Sequence, residues 1–210
     1  MPLLAIASNG ARLEAWMMSS AEWEALKADY RTRSLAAHCC GSAVVPVTSQ
    51  TGWQFFRHKG AACSVRESPH HLIAKTVVAR AAAALGLDVT TEARLNDGAA
   101  TADVLIRHLS WAVAVEVQLS RIPLIAIEDR QERYGTAGVR CAWLVGYDVP
   151  GHHPRQDLPL FRLVRPNRTR KKAVLRWAVV ILCADTECGR RGDDAGLGRT
   201  QRGSVQLREL

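Results

Sequence analysis

Asp103 and Glu116 are acidic residues set in runs that are otherwise almost wholly apolar, 100–106 and 111–119. An ionised carboxylate in such surroundings is costly unless a cation meets it. Only a short segment, 108–110, separates the two runs, so they read as an antiparallel strand pair that could bring Asp103 near Glu116 or Gln118. Side chains alternate along a strand, which puts Glu116 and Gln118 on one side. Two carboxylates and a backbone carbonyl would make an oxygen site for Mg²⁺. An ion pair with Arg130 or Lys75, or exposure at a sheet edge, would explain the same pattern.

A second cluster combines sulfur and nitrogen. Cys39 and Cys40 precede a β-prone run, 43–48, and His58 and Cys63 follow another, 53–58, with a turn-like Ser49–Gly52 between. Closing that hairpin gathers four candidate ligands for a structural Zn²⁺. Adjacent cysteines depart from the usual Cys-x₂₋₄-Cys spacing, so small thiols packed beside a hairpin remain the alternative. Cys183 and Cys188 form a weaker pair, and His152-His153 falls in a turn-rich loop.

The elements that must carry these residues are readable in outline. Ser20, Glu22 and Glu24 suit a helix start, with Trp23, Leu26 and Tyr30 on one side of a helix at about 20–31. Ser68-Pro69 is a cap followed by proline at the first helical position, and an alanine-rich helix then runs to Gly86. Strand signals follow at 87–93, 100–106 and 111–119, a helix at 121–137 with Pro123 in its first turn, and a strand at 139–146. The order is α-β-β-β-α-β. Leu158–Val164 reads as an edge strand.

With 210 residues, 48% hydrophobic and 23% charged, the chain is expected to be soluble with one sizeable core, which excludes collagen, wholesale disorder and a coiled coil. Its longest apolar run, Trp177–Cys183, is far shorter than the roughly 20 residues of a membrane-spanning helix. The start lacks the charged region of a signal peptide, and a cytoplasmic location with reduced cysteines is expected. Of the net charge of +8, residues 161–210 carry +7, from 12 Lys/Arg against 5 Asp/Glu.

Several segments, in order from about residue 20 to 146, resemble the competence protein CoiA-like family of the PD-(D/E)XK, restriction-endonuclease-like nucleases. They are Cys39-Cys40-Gly41, Phe55-Phe56-Arg57-His58, Glu67-Ser68-x-x-His71-x-x-x-Lys75, Ala102-Asp103-Val104-Leu105, Glu116-Val117-Gln118-x-Ser120, Arg130-Gln131-x-Arg133-Tyr134, Gly138-Val139-Arg140 and Trp143-Leu144. The resemblance implies an α/β (α+β) fold, a restriction-endonuclease-like α-β-β-β-α-β core at 67–150. The residue pattern itself, apart from the resemblance, puts an N-terminal helix and zinc-ribbon-like hairpin module at 1–66 and a basic, partly disordered extension at 151–210. The resemblance further implies a metal-dependent deoxyribonuclease using Mg²⁺ or Mn²⁺ on single-stranded or incoming transforming DNA, alongside recombination proteins. Asp103 and Glu116 become the metal ligands, Glu92 a third acid, and Gln118 stands where the wider superfamily has lysine. Lys75 could supply the missing charge, and His71, one helical turn before it on the same face, is a further candidate catalytic residue. Arg130 and Tyr134 would meet DNA. A DNA-binding or recombination-assembly protein that keeps the fold without useful turnover is the other function compatible with an uncharged Gln118.

Seven basic residues and no acidic one lie in Arg162–Arg176, between Phe161 and Trp177. Arg168, Arg170, Lys171 and Lys172 are candidate phosphate contacts, with the aromatic rings available to stack on unpaired bases. On this reading the core closes before Pro150, and deletion after Leu163 leaves it folded. Removing either Asp103 or Glu116 should leave stability level or higher, because it relieves repulsion between paired acids.

Overall fold

The computed structural model describes residues 2–60, 63, 67–153, 155–164, 178–181 and 204–206. The chain divides into two compact units, Met1–Val115 and Glu116–Leu210, and the division falls inside a strand.

The first unit opens with β1 (Leu4–Ile6) and β2 (Arg12–Glu14), which join β3 (Ala36–Ala37) in an antiparallel sheet of order β2-β1-β3. These strands carry two or three residues each, too few for an alternation to register in sequence. Between β2 and β3 lies α1 (Ser20–Arg33). Its cap is Ser19 rather than Ser20, because only Ser19 places Glu22 at the third helical position to close a capping box. Trp23 and Leu26 are buried; Trp23 meets Phe56 edge-on at 5.2 Å and donates to Thr48 Oγ1. Thr48 and Phe56 belong to the expected hairpin, β4 (Val44–Thr48) and β5 (Gln54–His58).

Then come α2 (Pro69–Ala84), capped by Ser68, and the antiparallel strands β6 (Asp88–Leu95), β7 (Ala100–His108) and β8 (Trp111–Gln118). Ala74, Ala79 and Ala82 are buried, so the alanine-rich face lets α2 lie close against β6 and β7.

The second unit holds the end of β8, α3 (Leu124–Thr136), β9 (Arg140–Val145), β10 (Leu160–Val164), β11 (Ala178–Ile181) and β12 (Ser204–Gln206). Pro123 precedes α3 as its N-cap. The fold is mixed α/β, and the expected α-β-β-β-α-β series is present as α2 through β9. Two expectations are corrected. Leu160–Val164 is no edge strand, since it pairs in parallel with β9 and antiparallel with β11. The sheet therefore does not close before Pro150, and deletion after Leu163 would strip a hydrogen-bonding partner from β10. Arg168, Arg170, Lys171 and Lys172, with the Cys183–Cys188 pair, lie outside the described residues.

The tail is better tested by charge than by truncation. If these four side chains contact phosphate, as expected from the sequence, replacing Arg168, Arg170, Lys171 and Lys172 with glutamine should weaken DNA binding and flatten its salt dependence, each lost contact removing roughly 0.7–0.9 from the log–log slope. Filter-binding isotherms over a salt series measure this, and an unchanged slope would assign DNA binding to other residues.

Candidate active site

Lys75 has no surface in contact with water. It lies one turn after His71 on α2, so both side chains leave the same face of the helix. Around the ammonium stand three carboxylates: Glu67 at 2.5 Å, Glu92 at 3.2 Å and Asp103 at 3.9 Å. The His71 ring lies between two of them, with Nε2 2.9 Å from Asp103 Oδ2 and Nδ1 3.3 Å from Glu67 Oε1.

The electrostatics follow from burial and neighbours. Burial pulls His71 down, but its hydrogen bonds to Asp103 and Glu67 outweigh it and push the imidazole up to about 9. Burial likewise opposes the charge on Lys75, yet Glu92, Glu67 and Asp103 hold the ammonium well above the ordinary lysine range. Burial would raise Glu67, but His71 and Lys75 bring it below the usual carboxylate range. Glu92 is raised, because burial outweighs the pull of Lys75.

Glu92 also sits in strained backbone. Between the pairs Thr91–Val104 and Ala93–Ala102 its φ is +52°, a left-handed conformation inside a strand that costs a non-glycine residue about 1–3 kcal/mol. Its Oε1 accepts from the Leu3 backbone N–H at 2.8 Å as well as from Lys75. The N-terminal segment is fastened nearby: Phe56 N–H donates to the Pro2 carbonyl, and the Thr91 hydroxyl donates to Glu14. Pro2, Glu67, Glu92 and Asp103 line one cavity of about 260 Å³, together with His38, Arg94 and Thr101. Glu67 Oε2 is buried without a hydrogen-bond partner.

In the second unit, Glu116 is also buried. Arg130 donates to its Oε2, and Tyr134 donates to Oε1 at 2.5 Å. The two donors are four residues apart on α3, and the Arg130 guanidinium lies 4.8 Å over the Trp143 ring. Burial and the Glu116 charge raise the Tyr134 phenol, which keeps it a proton donor. Gln118 Nε2 donates to the carbonyl and hydroxyl of Ser120, while its Oε1 takes a 3.4 Å bond from Arg130.

The fold thus gathers Glu67, His71, Lys75, Glu92 and Asp103 in the first unit, and Glu116, Gln118, Arg130 and Tyr134 in the second. Tyr134, expected to meet DNA, is 1% exposed and spends its hydroxyl on Glu116. Both acids have cationic partners, so removing one strips a cation of its counter-ion rather than relieving repulsion. Glu67 escaped assignment as a site acid. Its signal was spacing, four and eight residues before His71 and Lys75, although Glu67 itself lies just ahead of the Ser68 cap of α2. Cys39, Cys40, His58 and Cys63 converge as well, their ligand atoms all within 4.8 Å of one another.

Residues 67–166 match the family described as competence protein CoiA, nuclease-like domain. That stretch, just under half of the chain, is similar to a CoiA nuclease-like domain. The match begins at Glu67 and takes in Glu92, Asp103 and Glu116, and the nuclease-like description implies the PD-(D/E)XK superfamily. No curated protein matches the chain. Among the described residues of this CoiA-like chain, no helix is long and apolar enough to cross a membrane.

Two predictions test the buried charges of the CoiA-like domain. Lys75→Met strands carboxylates without their cation and should cost about 3–5 kcal/mol in urea unfolding. Adding Glu92→Gln should recover part of it. A Lys75→Met variant as stable as wild type would mean that the acids do not depend on this ammonium.

The second prediction concerns pH in EDTA. The folded value of His71, about 9, lies above its ordinary 6.5, so its contribution is fully present below pH 6.5 and is lost as pH rises toward 9. The full shift corresponds to roughly 3 kcal/mol. His71→Gln should flatten the fall in stability over that window, and identical pH profiles would show that the imidazole gains no proton affinity on folding.

Proposed function

We propose that this chain is a divalent-metal-dependent nuclease that hydrolyses DNA phosphodiester bonds during DNA uptake, processing or recombination linked to competence. One observation carries the reading: the convergence of Glu67, Glu92 and Asp103 on a single cavity where a carboxylate oxygen, Glu67 Oε2, is buried without a partner. Carboxylate oxygens are the donors that Mg²⁺ or Mn²⁺ takes. Three carboxylates outnumber the imidazolium and the ammonium by one, so the set keeps a net negative charge toward a further cation. Glu67 and Asp103 would hold the ion in the first unit, with Glu92 as the third acid, and the family resemblance gives Glu116 a ligand role. When bound, Mg²⁺ lowers the pKa of water and stabilises charge on phosphoryl oxygens.

The chain's own groups prepare that chemistry. His71 and Lys75 keep Glu67 ionised at a depth where it would otherwise take up a proton. His71 holds a proton between Glu67 and Asp103. Tyr134 and Arg130 fix the orientation of Glu116, as outer partners of ligating carboxylates do. Arg130 is also a candidate phosphate contact in DNA.

A second reading, a DNA-binding or recombination-assembly protein with little turnover, is favoured by Gln118. Its amide is occupied by Ser120, and it brings no charge to offset that developing on phosphate.

Cleavage of labelled single- and double-stranded DNA in Mg²⁺ or Mn²⁺ separates the two. For a nuclease, Asp103→Ala and Glu116→Ala should each abolish cleavage. Tyr134→Phe should lower it roughly 10–100-fold, the usual effect of losing a partner behind a metal ligand. Gln118→Ala should lower it less than loss of either acid. Metal-independent DNA binding without cleavage by the wild type would establish the second reading instead.

A further inference from the structure

The Cys39, Cys40, His58 and Cys63 cluster lies wholly outside the matched stretch 67–166 and plays no part in the nuclease reading. All four ligand atoms lie within 4.8 Å of one another, and three of the six separations match the edges of a metal tetrahedron. Cys39 Sγ and Cys63 Sγ are 3.8 Å apart, and His58 Nε2 is 3.5 Å from Cys39 Sγ and 3.4 Å from Cys40 Sγ. A tetrahedral Zn²⁺ with Zn–S near 2.3 Å and Zn–N near 2.0–2.1 Å has S···S edges of about 3.8 Å and S···N edges of about 3.5–3.6 Å. A disulfide would draw two sulfurs to about 2.05 Å, which none of these cysteines does.

Local structure explains why two adjacent cysteines reach one point. In a strand they would face opposite sides. Here the chain turns back between β3 and β4: Gly41 N–H donates to the Ala37 carbonyl, and Gly41 takes φ +70°, which suits glycine. The hairpin register then sets His58 opposite Val44, at the open end of the hairpin beside that turn. Cys63 completes the group from the segment that leads to Glu67, four residues later.

We propose that Cys39, Cys40, His58 and Cys63 bind one structural Zn²⁺ that fastens the 38–41 turn and the end of the hairpin to the segment entering α2. Three thiols and an imidazole fill all four positions, leaving none for a substrate or catalytic water. Soft sulfur donors in a tetrahedral array select zinc over Mg²⁺ or Ca²⁺. On binding, each thiol gives up its proton to solvent and the neutral ring donates a lone pair. The consequence is positional, because Cys39 and His58 form part of the wall of the cavity that Glu67, Glu92 and Asp103 also line.

The full-length chain, purified under reducing conditions without added metal, should contain one zinc per molecule by elemental mass spectrometry. Cys63→Ser and His58→Ala should lose it, with Asp103→Ala retaining it as a control that separates this site from the nuclease reading. Cobalt added to chelator-stripped wild type should give the visible bands and thiolate charge-transfer absorption of a tetrahedral sulfur site. This readout decides the matter even if the variants fail to fold. Substoichiometric zinc with a weak octahedral cobalt spectrum, tightly bound iron in place of zinc, or a Cys39–Cys63 disulfide persisting in reductant would each overturn the assignment.

Discussion

A lysine ammonium with no surface in water stays charged only where anions surround it, and the first unit is arranged around that requirement of Lys75. Glu67 comes from the approach to α2, Glu92 from β6 and Asp103 from β7, three elements that the ammonium ties to one point. The dependence is mutual. Without Lys75 and His71 the three carboxylates would repel one another at a depth where water cannot screen them. The cluster is costly to assemble as simple packing, and its excess of carboxylate over cation suits a site that receives another positive charge.

The same device recurs in the second unit. There a buried glutamate on β8 takes two donors spaced four residues apart on α3, Arg130 and Tyr134, as the acids of the first unit take Lys75 and His71 from α2. A helix that presents side chains at i and i+4 delivers two hydrogen-bond donors to one point with little backbone adjustment. Each acid is thereby held in one orientation before any ligand arrives. Such preorganisation keeps an ionised side chain at low dielectric from collapsing onto the nearest stray partner.

Short, weakly patterned segments complete the support of the first site. The Leu3 amide holds Glu92 in its left-handed conformation, and Glu14 grips the neighbouring Thr91. Strain of that kind persists only where surrounding contacts over-determine it. The Cys39–Cys40 turn and the hairpin end act on the other wall of the cavity, so parts of the chain outside the nuclease-like match shape the space that its acids face.

Periodicity and capping made α1, α2, the hairpin and the β6–β9 series legible in sequence, because each is long enough to repeat its pattern and is bounded by serine, proline or glycine. The isolated acids Asp103 and Glu116 were legible too, since a carboxylate within an apolar strand advertises a cost that something must offset. Sequence offered Arg130 and Lys75 as ion-pair partners beside a metal or an exposed edge; the choice among these, and the added bonds from His71 and Tyr134, depends on how helices pack on strands, which the helical repeat alone does not encode. The β1–β3 sheet escaped notice for want of length, and the burial of Tyr134 for want of any local signal. Convergence of two adjacent cysteines was likewise a tertiary outcome, since neighbouring side chains face one ligand only where the backbone turns back, as it does at Gly41.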